Sequence, residues 1–118
     1  MNLQRLALAA IAATAAAGAA AQSQPAVIFD MGGKFDKSFN EAAFNGAEAW
    51  KKESGKPYLE FEISNPTQRE QAMQRMAERG ASPIVGVGFS QVSPMEKVAK
   101  LFPKLGFTII DGVVELPN

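Results

Sequence analysis

The sequence contains neither cysteine nor histidine. The first absence excludes disulfides, cysteine-ligated metal sites and thiol catalysis. It also leaves no cysteine to carry a lipoprotein anchor. The second absence removes the commonest general base and the commonest transition-metal ligand. An excess of charge of one sign is missing too, since twelve Lys and Arg balance twelve Asp and Glu. Nucleic-acid binding normally shows a basic face, so this balance gives it no support. For an enzyme of ordinary kinds this is a poor toolkit.

One long apolar run is present, and it stands at the front. Met1 to Ala21 carries Arg5 as its only charge, then Leu6 to Ala17, then the small residues Ala19-Ala20-Ala21. That is the layout of a cleaved secretory signal, with an apolar stretch too short to span a bilayer. An alanine-rich helix of the mature domain is the other reading, but it would lack a polar face. Removing residues 1–21 leaves eleven basic residues against twelve acidic. The expected product is soluble, periplasmic or outside the cell, and without a lipid anchor.

The mature chain is organised around Val27 to Asn40, V-I-F-D-M-G-G-K-F-D-K-S-F-N. A short apolar run bounded by Pro25 and Asp30 reads as a buried strand. Gly32 and Gly33 permit a tight turn. Ser38-x-x-Glu41 is a capping box that starts a helix from about Phe39 to Glu53. Phe39, Ala43, Gly46, Ala47 and Trp50 recur at helical spacing as its apolar stripe. Tyr58 to Ile63 alternates like a strand near a sheet edge. Thr67-x-x-Glu70 opens a second helix with Ala72, Met73, Met76 and Ala77 inward. Pro83 to Phe89 is apolar on both sides, which suits a central strand. Ser93-Pro94-Met95-Glu96 starts a third helix with Met95, Val98, Ala99 and Phe102 inward, and Phe107 to Ile110 forms a fourth strand. The order β-α-β-α-β-α-β predicts an α/β fold, a parallel sheet with helices on both faces. The fourth strand is followed by no closing helix, so residues 22–118 read as part of a larger α/β domain.

Phosphate-binding motifs are approached but not met. Gly86-Val87-Gly88 follows a strand, yet Gln91 stands where a dinucleotide fingerprint needs glycine, and Asp36 precedes Lys37-Ser38 where a P-loop needs glycine. Asp30 after a strand resembles a phosphatase nucleophile, which would need Mg²⁺ and help from Asp36 or Asp111. Asp30 and Asp111 end the first and fourth strands, on the crevice side of a parallel sheet. Their alternative is turn or helix capping. Phe39 offers an aromatic face and Asn40 an amide for the polar edge of a planar ligand. Spacing alone favours Phe39 as a core residue, and Asn40 as a capping residue is equally open. Phe89 either lines the same crevice or packs under the third helix.

The stretch V-I-F-D-M-G-G-K-F-D-K-S-F-N-E-A-A-F-N-G resembles the opening of the basic-membrane-protein family of ABC-transporter substrate-binding proteins, purine nucleoside receptor type. Ile84 to Phe89 and Phe107 to Asn118 resemble its next two signature stretches, in order. The resemblance implies the first, Rossmann-like lobe of a type I periplasmic-binding fold, incomplete at the C-terminus, and a receptor rather than an enzyme. It implies a purine nucleoside or base as ligand, stacked on Phe39 and bonded by Asn40, with Asp30 and Asp111 in or beside the pocket. It also implies an ABC permease and its ATPase as partners, contact with the membrane only through that permease, and no cofactor. The phosphatase, and a ligand sensor on the same fold, are the alternatives.

Overall fold

The computed structural model describes residues 23–118, and the signal read in residues 1–21 lies outside them. Four strands, β1 (Ala26–Phe29), β2 (Leu59–Glu62), β3 (Ile84–Val87) and β4 (Phe107–Ile110), alternate with three helices. These are α1 (Phe39–Ser54), α2 (Gln68–Glu78) and α3 (Val92–Leu101), the last preceded by a 3₁₀ turn at Phe89–Gln91. All strand pairs are parallel, in the order β2-β1-β3-β4. The two interior strands are the most apolar, because helices cover them on both sides and leave no wet face. At the edge, β2 keeps Glu60 and Glu62 in solvent while Leu59 and Phe61 turn toward the core.

The helices divide between the faces. Ala26, Ile28 and Ile84 pack under α2 and α3, against Met73, Met76, Met95 and Val98. Val27, Phe29 and Val87 pack under α1, against Ala43, Phe44 and Ala47. Phe29 is fully buried and meets Phe44 edge-on, with ring centroids 6.2 Å apart. Burial of one such side chain stabilises by roughly 1.5–3 kcal/mol.

The inner stripe of α1 departs from the sequence reading by one register. Asn40, Ala43, Phe44 and Ala47 face the sheet, while Phe39 is 58% exposed and Gly46 lies in open space. The two aromatics five residues apart stand on different sides of the helix, and Phe44 is the one that packs against Phe29.

The helix starts also differ. Ser38 makes no capping bond. Asp36 caps α1 instead, its Oδ1 accepting from the backbone N–H groups of Ser38 (2.8 Å) and Glu41 (3.0 Å) and its Oδ2 from that of Asn40 (3.3 Å). A carboxylate outcompetes a hydroxyl for these donors because charge-assisted bonds are stronger. At α2, Asn65 Oδ1 accepts from the Thr67 N–H at 3.0 Å, and Thr67 itself makes no cap. Ser93 lies already inside α3, because the 3₁₀ turn brings the chain into helix at Val92.

The ladders do not end together. β1–β2 pairing reaches Phe29 opposite Glu62, and β3–β4 pairing reaches Val87 opposite Ile110. Between them, β1–β3 pairing stops at Ile28 opposite Gly86. From that parting α1 follows β1 over one face, and α3 follows β3 over the other. Such a switch point is where open α/β sheets hold ligands.

Candidate ligand-binding crevice

The parting is held open by a side chain. Gln91 is fully buried, and its Nε2 donates to the carbonyls of Ile28 (2.8 Å) and Val87 (3.0 Å). These are acceptors that an unbroken β1–β3 ladder would have satisfied, and an unsatisfied buried carbonyl is costly. Gln91 Oε1 has no hydrogen-bond partner among the described residues. From sequence this residue was notable only as a failed glycine.

The loop after β1 forms the near wall. Gly32 and Gly33 adopt φ of +104° and +75°, where side chains are disfavoured, and the Gly33 N–H closes a turn on the Asp30 carbonyl at 3.2 Å. Asn40, 3% exposed, grips this turn from the first turn of α1. Its Oδ1 accepts from the Asp30 N–H at 2.9 Å, and its Nδ2 donates to the carbonyls of Asp30 (3.0 Å) and Met31 (3.4 Å). Both amide hydrogens are thus used by the backbone, leaving one lone pair on Oδ1.

Asp30 stands at the centre. Its Oδ1 pairs with Arg69 Nε at 2.9 Å, each side chain 17% exposed. Its Oδ2 is turned toward Gly88, where an added Cβ would lie 3.3 Å from that oxygen. Gly88 has φ +98°, so β3 leaves the sheet in a conformation that glycine alone takes without strain and that keeps this approach open. The Gly88 N–H bonds the Ile110 carbonyl at 2.9 Å. Next in chain, Phe89 is 71% exposed.

Asp111 follows β4 with φ +64°, a left-handed turn that aspartate tolerates. The following Gly112 packs beside Phe89, whose Cα lies 3.8 Å from where a Gly112 Cβ would be. The structure therefore gathers Asn40, Gly88 and Arg69 around Asp30, and brings Phe89 against the Asp111–Gly112 turn. Phe39 adjoins through Asn40.

Arg69 escaped the sequence reading. The signal was topological: a helix that follows a parallel strand begins at the carboxyl end of the sheet, so the first turn of α2 had to face the crevice. For a metal-dependent phosphatase the acids are wrongly placed. Asp30 is engaged by Arg69, Asp36 by the start of α1, and among the described residues no three acidic side chains gather.

An apolar groove of about 350 Å³ lies elsewhere, beside α1 toward the amino ends of the strands, lined by Pro25, Val27, Trp50, Tyr58 and Val85 among others. The Tyr58 hydroxyl there donates to Glu48 at 2.7 Å. Desolvation, then that bond and the charge of Glu48, push its ionisation well above the ordinary range. The groove therefore offers a ligand little polar chemistry.

Known proteins resemble this chain over most of its length. The chain is 37% identical over 91 residues to an uncharacterized lipoprotein of Pyrococcus furiosus, covering 74% of this chain and 22% of that protein. It is 30% identical over 94 residues to the ABC transporter nucleoside-binding protein BmpA of Lactococcus lactis, covering 76% of this chain and 27% of that protein. The chain thus spans about a quarter of the length of these relatives. Among solved structures it superposes on an ABC transporter solute-binding protein of Aeropyrum pernix K1 with a TM-score of 0.73 and 30% identity, over 80% of this chain and 26% of that one. The family model for ABC transporter substrate-binding proteins of the PnrA-like type matches residues 23–117. The chain belongs to this Bmp family, whose members bind solutes and are not enzymes.

Proposed function

We propose that this chain forms part of the first lobe of an extracytoplasmic receptor that captures a purine nucleoside or base for ABC import. The observation that carries the proposal is the carboxyl-end crevice, where Phe39, an exposed aromatic, precedes Asn40, which grips the backbone of the fixed carboxylate Asp30. Phe35, Phe39 and Phe89 are all more than half exposed, and Phe39 and Phe89 begin the helical segments that follow β1 and β3. Exposed rings at a switch point suit stacking on a planar base. The nucleoside-binding relative in Lactococcus lactis agrees with that ligand class.

In this reading Phe39 stacks on the base, Asp30 and the free lone pair of Asn40 meet its polar edge, and Asp111 and Phe89 line the far side. Recognition proceeds by closure of a second lobe over the ligand, with a permease and its ATPase receiving it. The receptor is exported by a cleaved signal and works unanchored in the periplasm. Some relatives are called lipoproteins, but none of these 118 residues is a cysteine.

Calorimetric titration of the full-length protein with inosine and adenosine tests the proposal. Saturable binding that Phe39→Ala weakens is expected, since stacking on one base contributes about 1–3 kcal/mol, or roughly 5–150-fold in affinity. Absence of binding to any purine nucleoside or base would overturn it. Cell fractionation checks the localisation, with recovery in the soluble periplasmic fraction expected.

A further inference from the structure

Arg69 binds Asp30 through Nε alone. Among the described residues no other side-chain hydrogen bond is formed by its guanidinium, so both terminal nitrogens remain as donors. Asp30 is the mirror case, with Oδ1 taken by Arg69 and Oδ2 left as an acceptor facing Gly88. The pair is held from both ends. The Asp30 backbone is clamped by Asn40, and Arg69 belongs to the first full turn of α2, its N–H on the Pro66 carbonyl at 3.4 Å. A guanidinium donor and a carboxylate acceptor thus sit side by side at the crevice.

Resting on the reading of this crevice as a purine site, the geometry points to Arg69 and Asp30 as a joint selector for 6-oxopurines over 6-aminopurines. A 6-oxopurine such as hypoxanthine or guanine presents the O6 acceptor next to the N1–H donor. Arg69 donates to O6 while Asp30 Oδ2 accepts from N1–H. Adenine presents the reverse, an N6 amino donor beside an N1 acceptor. With the base held in one orientation, the amino group then faces a cation that can only donate, and N1 faces a carboxylate that can only accept. A site whose half-buried polar groups are left mismatched rejects the wrong ligand strongly. Arg69 gives this selectivity a planar fork that lysine lacks.

The test is titration of the full-length protein with inosine, adenosine and purine riboside, which lacks any 6-substituent, followed by the same series on Arg69→Lys and Arg69→Gln. Inosine is expected to bind about tenfold or more tighter than the other two. Both variants should reduce that preference by about fivefold or more, Asp30 keeping its contact with N1–H, while retaining native circular dichroism. Where a variant does not fold, the inosine-to-purine-riboside ratio of the wild type still reads the O6 and N1–H contacts together. Equal or tighter binding of adenosine, or an inosine preference undiminished in the folded variants, overturns the selector and leaves the receptor reading intact. Failure of every purine to bind overturns both.

Discussion

Asn40 and Phe39 are neighbours in sequence with opposite fates. Asn40 turns inward and spends its amide on the backbone of Asp30 and Met31. Replacing it by leucine leaves a part-buried N–H and two carbonyls short of a partner, and should lower stability by about 1–3 kcal/mol in urea unfolding. Phe39→Ala should leave the same measurement within about 0.5 kcal/mol, because the ring stands mostly in solvent. A large loss of stability there would return Phe39 to the core. Spacing could not separate these two, since Phe39 and Phe44 both fit an apolar stripe and only packing against Phe29 chooses between them. The motif itself was legible: it placed Asp30 at a strand end and the glycine turn after it. The partner of Asp30 was not, because Arg69 lies 39 residues away.

At the scale of elements, sequence patterning located each strand and helix to within a few residues, and β4 at Phe107–Ile110 without error. The caps were less legible, because several polar side chains near a helix start compete for the same few N–H groups. Asp36 won at α1, and this has a pH signature. Desolvation works to raise its ionisation, but bonds from the backbone of Glu41, Ser38 and Asn40 prevail and hold it below the usual carboxylate value. A carboxylate with a depressed native pKa contributes stability that is present above its unfolded value and is lost as pH falls through the native one. Asp36→Ala should therefore melt at a lower temperature than wild type at pH 7, and the gap should close below about pH 4 in thermal scans followed by circular dichroism. A gap that stays constant down to pH 2 would deny Asp36 this role. At the other end of the crevice, Gly86→Ala puts a methyl 3.0 Å from Met95 Cε and 3.4 Å from Gln91 Cβ. It should destabilise by about 1–3 kcal/mol, as overpacking of a filled core does.

For the molecule as a whole, strand polarity and the two-sided core followed from the alternation of elements and from which strands were wholly apolar. The parting between β1 and β3 did not, because it depends on a glutamine reaching across 63 positions. The two ends of the sheet have different characters in consequence. The carboxyl end is polar and shaped around Asp30, while the amino end carries the apolar groove beside α1. Trp50, the single tryptophan of these 118 residues, lines that groove. It stands eleven residues along α1 from Phe39, roughly 16 Å at the helical rise. The chain therefore carries a fluorophore that reports on one end only. Its emission should shift to the blue when the groove is covered, and should hold steady while inosine fills the crevice. A shift that tracks inosine occupancy would instead mean that the two ends communicate through α1.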